Sequence, residues 1–184
     1  MPILFFAISN TRLSGEPVSI LSINISKLSE GAHQRSLQVA PQEIGLDSRF
    51  TKEVNVEAAL ESTSRQLYVH AEFKTGGVFT CDRCLEEFEC DVSSGFDIVY
   101  VAESRAEVGE DEDMRVLSPD TNYIDLDEDV RQYAILALPQ KTLCAEDCAG
   151  LCPICGTNLN RAKCDCRNEA VDSPLSGLQK FIKN

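Results

Sequence analysis

The chain has no tryptophan, only two histidines and no apolar stretch long enough to span a bilayer. The missing tryptophan excludes nothing. The scarcity of histidine bears on metal chemistry. A catalytic zinc keeps one position open for water and draws on histidine or carboxylate, and His33 and His70 are all the histidine there is. His70 sits in an alternating segment beside Tyr68 and Glu72, which reads as an ordinary strand histidine. Also missing are a Walker-type loop, a dinucleotide fingerprint and any serine–histidine–acid arrangement, so neither an enzyme nor a small-molecule substrate is expected. The longest apolar run near the start, Ile3 to Ile8, is too short for a membrane span and has no basic segment ahead of it. The expectation is a cytoplasmic protein without a signal peptide or membrane anchor.

Positive charge is scarce too: 17 lysines and arginines face 30 aspartates and glutamates, a net charge of −13 over 184 residues. Much of the excess is local, since residues 101 to 130 hold eleven acidic residues against Arg105 and Arg115. Such a surface repels phosphate backbones at long range, which argues against nonspecific nucleic-acid binding. The run Glu110-Asp111-Glu112-Asp113 reads as a solvated loop or as a docking surface for a basic partner. The exception is residues 141 to 168, where Lys141, Arg161, Lys163 and Arg167 outnumber Glu146, Asp147 and Asp165 by one. These four, with Arg83, are the candidate contacts to RNA or a partner.

The first hundred residues carry the period-2 alternation of a half-buried sheet. Strands are expected over 18–26, 34–40, 50–60, 66–73 and 96–101, with a short helical turn over 41–46. Gly76-Gly77 reads as a turn before the strand resumes at Val78. Asp125 followed by Glu128 suggests a helix cap, and Leu126, Val130, Tyr133, Ala134 and Leu138 then fall at helical spacing until Pro139. A short amphipathic helix is expected over 175–182. The fold class is therefore α+β: an antiparallel β-rich body over 1–140 with one principal helix at 126–138, then a cysteine-rich, zinc-ribbon-like segment over 141–184.

Nine cysteines without a secretion signal point to metal rather than to disulfides, because cytosolic thiols are kept reduced. Cys152-Pro153-Ile154-Cys155-Gly156 has the form of a zinc knuckle: two intervening residues let both sulfurs reach one ion, and the glycine lets the backbone turn beneath it. Cys164 and Cys166 supply two more thiolates, Cys144 and Cys148 form a third pair, and Cys81 and Cys84 a second C-x2-C. Four pairs make two tetrahedral zinc sites. One pairing joins Cys152, Cys155, Cys164 and Cys166 as a local ribbon and leaves Cys81 and Cys84 to meet Cys144 and Cys148. Another puts Cys144, Cys148, Cys152 and Cys155 on one ion, and spacing alone does not choose. Cys90 is left over, alternating with Phe88 and Val92 on one strand face. Thiol redox chemistry is the competing use of a C-x2-C, though the βαβ context of a thioredoxin-like motif is missing.

The ordered pieces Cys81-x-Arg83-Cys84-Leu85-Glu86, Ile124-Asp125-Leu126, Leu136-Ala137-Leu138-Pro139, Cys144-x3-Cys148-x-Gly150-Leu151-Cys152-Pro153-x-Cys155-Gly156-x-Asn158-Leu159-Asn160 and Cys164-x-Cys166 resemble the YceD family of bacteria and plastids over roughly residues 20 to 182. The resemblance implies a noncatalytic factor for accumulation, processing or stability of 23S rRNA, and hence for large ribosomal subunit assembly. It implies that the later cysteine cluster, not universal in the family, is an accessory stabiliser. Members often read Asp-Pro-Arg-Leu where this chain has Ser173-Pro174-Leu175. An acidic factor in rRNA metabolism is expected to work through a basic large-subunit ribosomal protein, a 23S rRNA precursor, or both. A zinc-ribbon adaptor in a transcription or other complex is the alternative.

Overall fold

The computed structural model describes residues 19–102 and 114–166. Two compact units emerge, Met1–Phe79 with Glu89–Gln140, and Thr80–Phe88 with Lys141–Asn184. Thr80–Phe88 thus groups with the cysteine-rich segment rather than with the strands that flank it. The helix expected over 175–182, Arg167, the Ser173-Pro174-Leu175 tail and the acidic run 110–113 lie outside the described residues.

The first unit is built on a five-stranded sheet in the order β2 (Gly31–Val39), β3 (Phe50–Ser62), β4 (Gln66–Thr80), β5 (Glu87–Ala102) and β6 (Met114–Leu117). Alternation explains its sidedness. Val54, Val56, Ala58 and Leu60 of β3 and Val69, Ala71 and Phe73 of β4 are buried, while the residues between them face solvent. A second sheet pairs β1 (Ser22–Asn24) with β7 (Tyr123–Asp125), and α1 (Asp127–Leu136) follows β7 directly. A single 3-10 turn, Pro41–Ile44, links β2 to β3.

Several elements depart from the sequence reading. The body is not wholly antiparallel, because β6 runs parallel to β5, with Val99 opposite Met114 and Ala102 opposite Leu117. The strand expected over 18–26 is only three residues long, Ser22–Asn24, and pairs with β7. Gly76-Gly77 is not a turn: β4 runs straight through it opposite an irregularity in β3 between Phe50 and Asn55. A Cβ on Gly77 would lie 1.9 Å from the Arg49 carbonyl oxygen, so this pair marks a close backbone approach beside a bulge.

The helix is one turn shorter than 126–138, with Leu126 at its N-cap. The Asp125 carboxylate accepts the Asp127 N–H at 2.8 Å, but Glu128 does not reach back to it and pairs with Arg131 instead. The Asp127 carboxylate accepts the N–H groups of Ile20 and Leu21, fastening the helix start to the approach to β1. Tyr133 of α1 stacks on Phe96 of β5 with ring centroids 4.9 Å apart, and Val130 and Ala134 are fully buried, so α1 closes the core on the apolar sheet face. Buried Asp129 is paired with Arg115, which ties α1 to β6. No described helix is long and apolar enough to cross a membrane.

Candidate metal centres

The second unit is organised by two short segments with the same backbone. In Cys81–Glu86, the Leu85 N–H donates to the Cys81 carbonyl and the Cys81 N–H to the Glu86 carbonyl, both at 2.9 Å. In Cys152–Thr157, the Gly156 N–H donates to the Cys152 carbonyl at 2.9 Å and the Cys152 N–H to the Thr157 carbonyl at 2.8 Å. Each is a knuckle that folds its chain back so that two thiols share one side. The fifth residue of each must take a left-handed conformation. In the second knuckle it is Gly156, with φ 72°, and in the first it is Leu85, with φ 57° and its side chain 64% exposed. Glycine takes that conformation without cost, whereas a leucine there is strained by about 1 kcal/mol or more.

The structure brings the cysteines together in two sets of four. Cys81, Cys84, Cys144 and Cys148 form one, Cys152, Cys155, Cys164 and Cys166 the other, and within each set all sulfurs lie within 4.8 Å of one another. The Cys144–Cys148 pair is therefore grouped with the first knuckle and not with the second. The sulfur separations of 3.8 Å for Cys81–Cys148 and 3.6 Å for Cys84–Cys144 fit a tetrahedral ion, since metal–sulfur bonds of about 2.3 Å place the corners of the tetrahedron about 3.8 Å apart. Four thiols fill such a sphere and leave no position for water or substrate, so an ion held here would be structural. Cys90 is in neither set and lies half-buried on β5.

The protonation chemistry supports cation binding. Burial opposes ionisation of Cys81, but N–H groups of Cys144, Cys84 and Arg83 outweigh it and hold the thiol at about 6. Its neighbour Cys144 is pushed up to about 12 by the Cys148 and Cys84 thiols crowding it. The second set repeats the pattern. The Thr157 hydroxyl, 3.1 Å from Cys155 Sγ, and the Thr157 N–H hold Cys155 at about 6, while Cys155 and burial push Cys166 up to about 12. Each set thus holds some thiols toward the thiolate, Cys81 in the first and Cys152 and Cys155 in the second, and others toward the protonated form. A divalent cation relieves the repulsion that keeps four thiolates from coexisting.

Side chains that the spacing of cysteines does not reveal hold the clusters in place. Asn160, in the loop between Cys155 and Cys164, donates from Nδ2 to Cys148 Sγ of the other set at 3.2 Å and accepts the Ala149 N–H at 2.7 Å. The Arg83 guanidinium donates to the carbonyls of Cys148 at 2.9 Å and Glu146 at 3.2 Å, and the Arg83 carbonyl accepts the Leu151 N–H. Gly150 has φ 74°, and a Cβ there would lie 3.1 Å from the Arg83 carbonyl oxygen. Among the candidate contacts, Arg83 is therefore occupied in joining the first knuckle to the Cys144–Cys148 loop. Arg161 is paired with Glu86 at 2.7 Å, and Lys141 and Lys163 are exposed. The one sequence signal for Asn160 is its place in the Asn158-Leu159-Asn160 run after the second knuckle.

No solved structure matches the chain. A curated relative from Arabidopsis thaliana, "Large ribosomal RNA subunit accumulation protein YCED homolog 1, chloroplastic", is 33% identical over 75 residues, covering 39% of this chain and 23% of the relative. The chain thus spans well under half of that relative's length. The family described as "Large ribosomal RNA subunit accumulation protein YceD" matches residues 69–182, which take in both knuckles, α1 and all eight clustered cysteines. With more than half its length matched in this way, the chain belongs to the YceD family.

Proposed function

We propose that this chain is a noncatalytic factor for the accumulation and processing of 23S rRNA and for large ribosomal subunit assembly. In this reading it carries two structural zinc ions and acts in the cytoplasm on a basic ribosomal protein or on the rRNA precursor. The observation that carries the reading is the family match over residues 69–182. Two four-thiol clusters support zinc, which favours four thiolates in a closed tetrahedron and has no redox chemistry of its own. The zinc ions hold shape: they join Thr80–Phe88 to the cysteine-rich segment and close that segment as a zinc-ribbon-like fold. The net charge of −13 favours a basic protein as the partner met first.

Cosedimentation with large-subunit precursors on a salt-controlled gradient, together with zinc stoichiometry of protein purified without chelator, tests the reading. Two zinc ions per chain and migration with the precursors are expected. Copurification with RNA polymerase instead would favour a transcription adaptor. Zinc-free protein with paired disulfides would favour a redox role.

A further inference from the structure

A sheet of five strands has two edges, and here the two are built differently. At one edge stands β6, only four residues long. At the other stands β2, nine residues paired with β3 one for one, from Gly31 opposite Ser62 to Val39 opposite Val54, with no bulge. An antiparallel ladder turns the backbone groups of alternate residues toward the partner strand and those of the rest away. Two hydrogen bonds fix which are which. The Thr63 N–H donates to the Gln66 carbonyl at 3.0 Å across the β3–β4 hairpin, so Glu61, Ala59, Glu57 and Asn55 follow it in bonding β4, and the residues between them bond β2. The Gln34 carbonyl correspondingly faces outward, where it accepts from Arg35 Nη1 at 2.8 Å. Ala32, Gln34, Ser36 and Gln38 therefore aim their N–H and C=O groups away from the sheet. All four residues are exposed, and among the described residues no other segment bonds to these groups.

Folded proteins guard such an edge with lysine, proline, a bulge or a short strand. β6 is guarded by its length. β2 has no lysine, proline or bulge, and its one arginine, Arg35, is turned back on the Gln34 carbonyl. The outward row Ala32, Gln34, Ser36 and Gln38 is uncharged, so it selects neither a basic nor an acidic strand. It does match a copy of itself. With a two-fold axis at Ser36, a second antiparallel β2 sets Ser36 against the partner's Ser36 and Gln34 against the partner's Gln38, with two backbone bonds at each pair. Hydroxyl meets hydroxyl and amide meets amide. Arg35 falls opposite the partner's Leu37, so its aliphatic stem covers a half-buried leucine and no cation faces its own copy. An axis at Gln34 or at Arg35 would instead oppose Arg35 to a histidine or to another arginine.

We propose that the free edge of β2 is a self-association surface, which pairs antiparallel with β2 of a second copy of this chain about a two-fold axis at Ser36 and so continues the sheet from one copy into the next. An edge of about 30 Å makes a small interface, which suits a weak, reversible dimer. The net charge of −13 opposes the approach of two copies at long range, so the dimer strengthens as salt rises, the reverse of a complex with a basic partner. The inference stands apart from the assembly-factor reading and does not depend on it.

The test uses the full chain with its zinc. Sedimentation equilibrium is run from micromolar to submillimolar protein at low and at physiological salt, and amide exchange in β2 is followed by NMR over the same range. A reversible dimer is expected, with the amides of Gln34, Ser36 and Gln38 gaining protection as it forms. Ser36→Lys sets two lysines against each other at the axis, and Ser36→Pro removes an outward N–H that the ladder with β3 does not use, a change an edge strand tolerates. Each is expected to weaken dimerisation about tenfold, and Ser36→Thr less than about twofold. Melting curves verify that the variants are folded, and the exchange readout on the wild type needs no variant. A monomer at every concentration, a dimer in which these amides stay unprotected, or a dimer that neither Ser36→Lys nor Ser36→Pro weakens would overturn the proposal. So would protection of these amides only when large-subunit precursors are added, which would assign the edge to a strand of another protein.

Discussion

The two cysteine clusters are built on the same knuckle and differ in how they are enclosed. In the first, Cys81, Cys84 and Cys148 are buried and only Cys144 is exposed; in the second, only Cys152 is buried, and Cys155 and Cys166 face solvent. The first also joins parts of the chain 67 residues apart, Cys81 to Cys148, and packs with Phe88 and Leu143. The second closes a loop contained within residues 152–166. An ion in the first site therefore supplies tertiary structure, adding to the Arg83 hydrogen bonds and the Arg161–Glu86 pair that also join Thr80–Phe88 to the later segment. An ion in the second site supplies local order, and its ligands are open to competing chelators and oxidants.

Ligand removal should break the comparison most sharply. Binding energies of about 10 to 16 kcal/mol for structural zinc in small peptides are large against the stability of a small unit. Cys81→Ser should release one ion and unfold the whole second unit, whereas Cys155→Ser should release one ion and loosen mainly 149–166. Elemental analysis and hydrogen exchange check this, and equal loss of protection in both variants would refute it. Next in size is chelation of the wild type. A zinc chelator should remove the ions in two phases, with Cys155 and Cys166 becoming reactive to thiol reagents before Cys81 and Cys84. A single phase would mean that the enclosure of the first cluster does not slow exchange.

Asn160 gives a finer test, since it sits in the loop of one cluster and bonds a sulfur of the other. Asn160→Ala should weaken metal binding at the first site about ten- to a hundredfold, as loss of outer-shell partners does, and affect the second site less. Competition against a chromogenic chelator reads the two affinities. The smallest effect concerns the fifth residue of each knuckle. Leu85→Gly should raise stability by about 1 kcal/mol and Gly156→Leu should lower it by at least as much, because both positions require the left-handed region. Melting with zinc held in excess measures both. A Leu85→Gly variant that is more stable yet fails to support rRNA accumulation would show that the exposed leucine is kept for contact with another molecule.

Legibility followed the range of the interactions involved. The alternation in 50–60 and 66–73 exposed β3 and β4 because one sheet face is apolar over many residues, and the spacing in 126–138 exposed α1 for the same reason. Its N-terminus lies one residue beyond the expected start, fastened by the long-range bonds of Asp127, and its C-terminus two residues short of the expected end. The four residues of β6 carry too few side chains to announce a strand, and no local pattern reports that it runs parallel. Gly76-Gly77 has the composition of a turn, and only the closeness of Arg49 reveals why glycine is needed within a strand. Arg83 had the charge of a partner contact, and its commitment to two carbonyls shows only in three dimensions.

By itself the sequence determined the two knuckles, because their hydrogen bonds close within six residues and two intervening positions suffice to bring a pair of sulfurs together. It also determined the sidedness of the sheet, through a period of two sustained along β3 and β4. Tertiary structure alone decided which cysteine pairs share a cluster, how β6 joins the sheet, and that Asn160 serves a sulfur outside its own loop. Those outcomes depend on chain segments meeting across 60 or more residues, across a sheet, or, for Asn160 and Cys148, between two neighbouring loops, and spacing along the chain carries no measure of that approach.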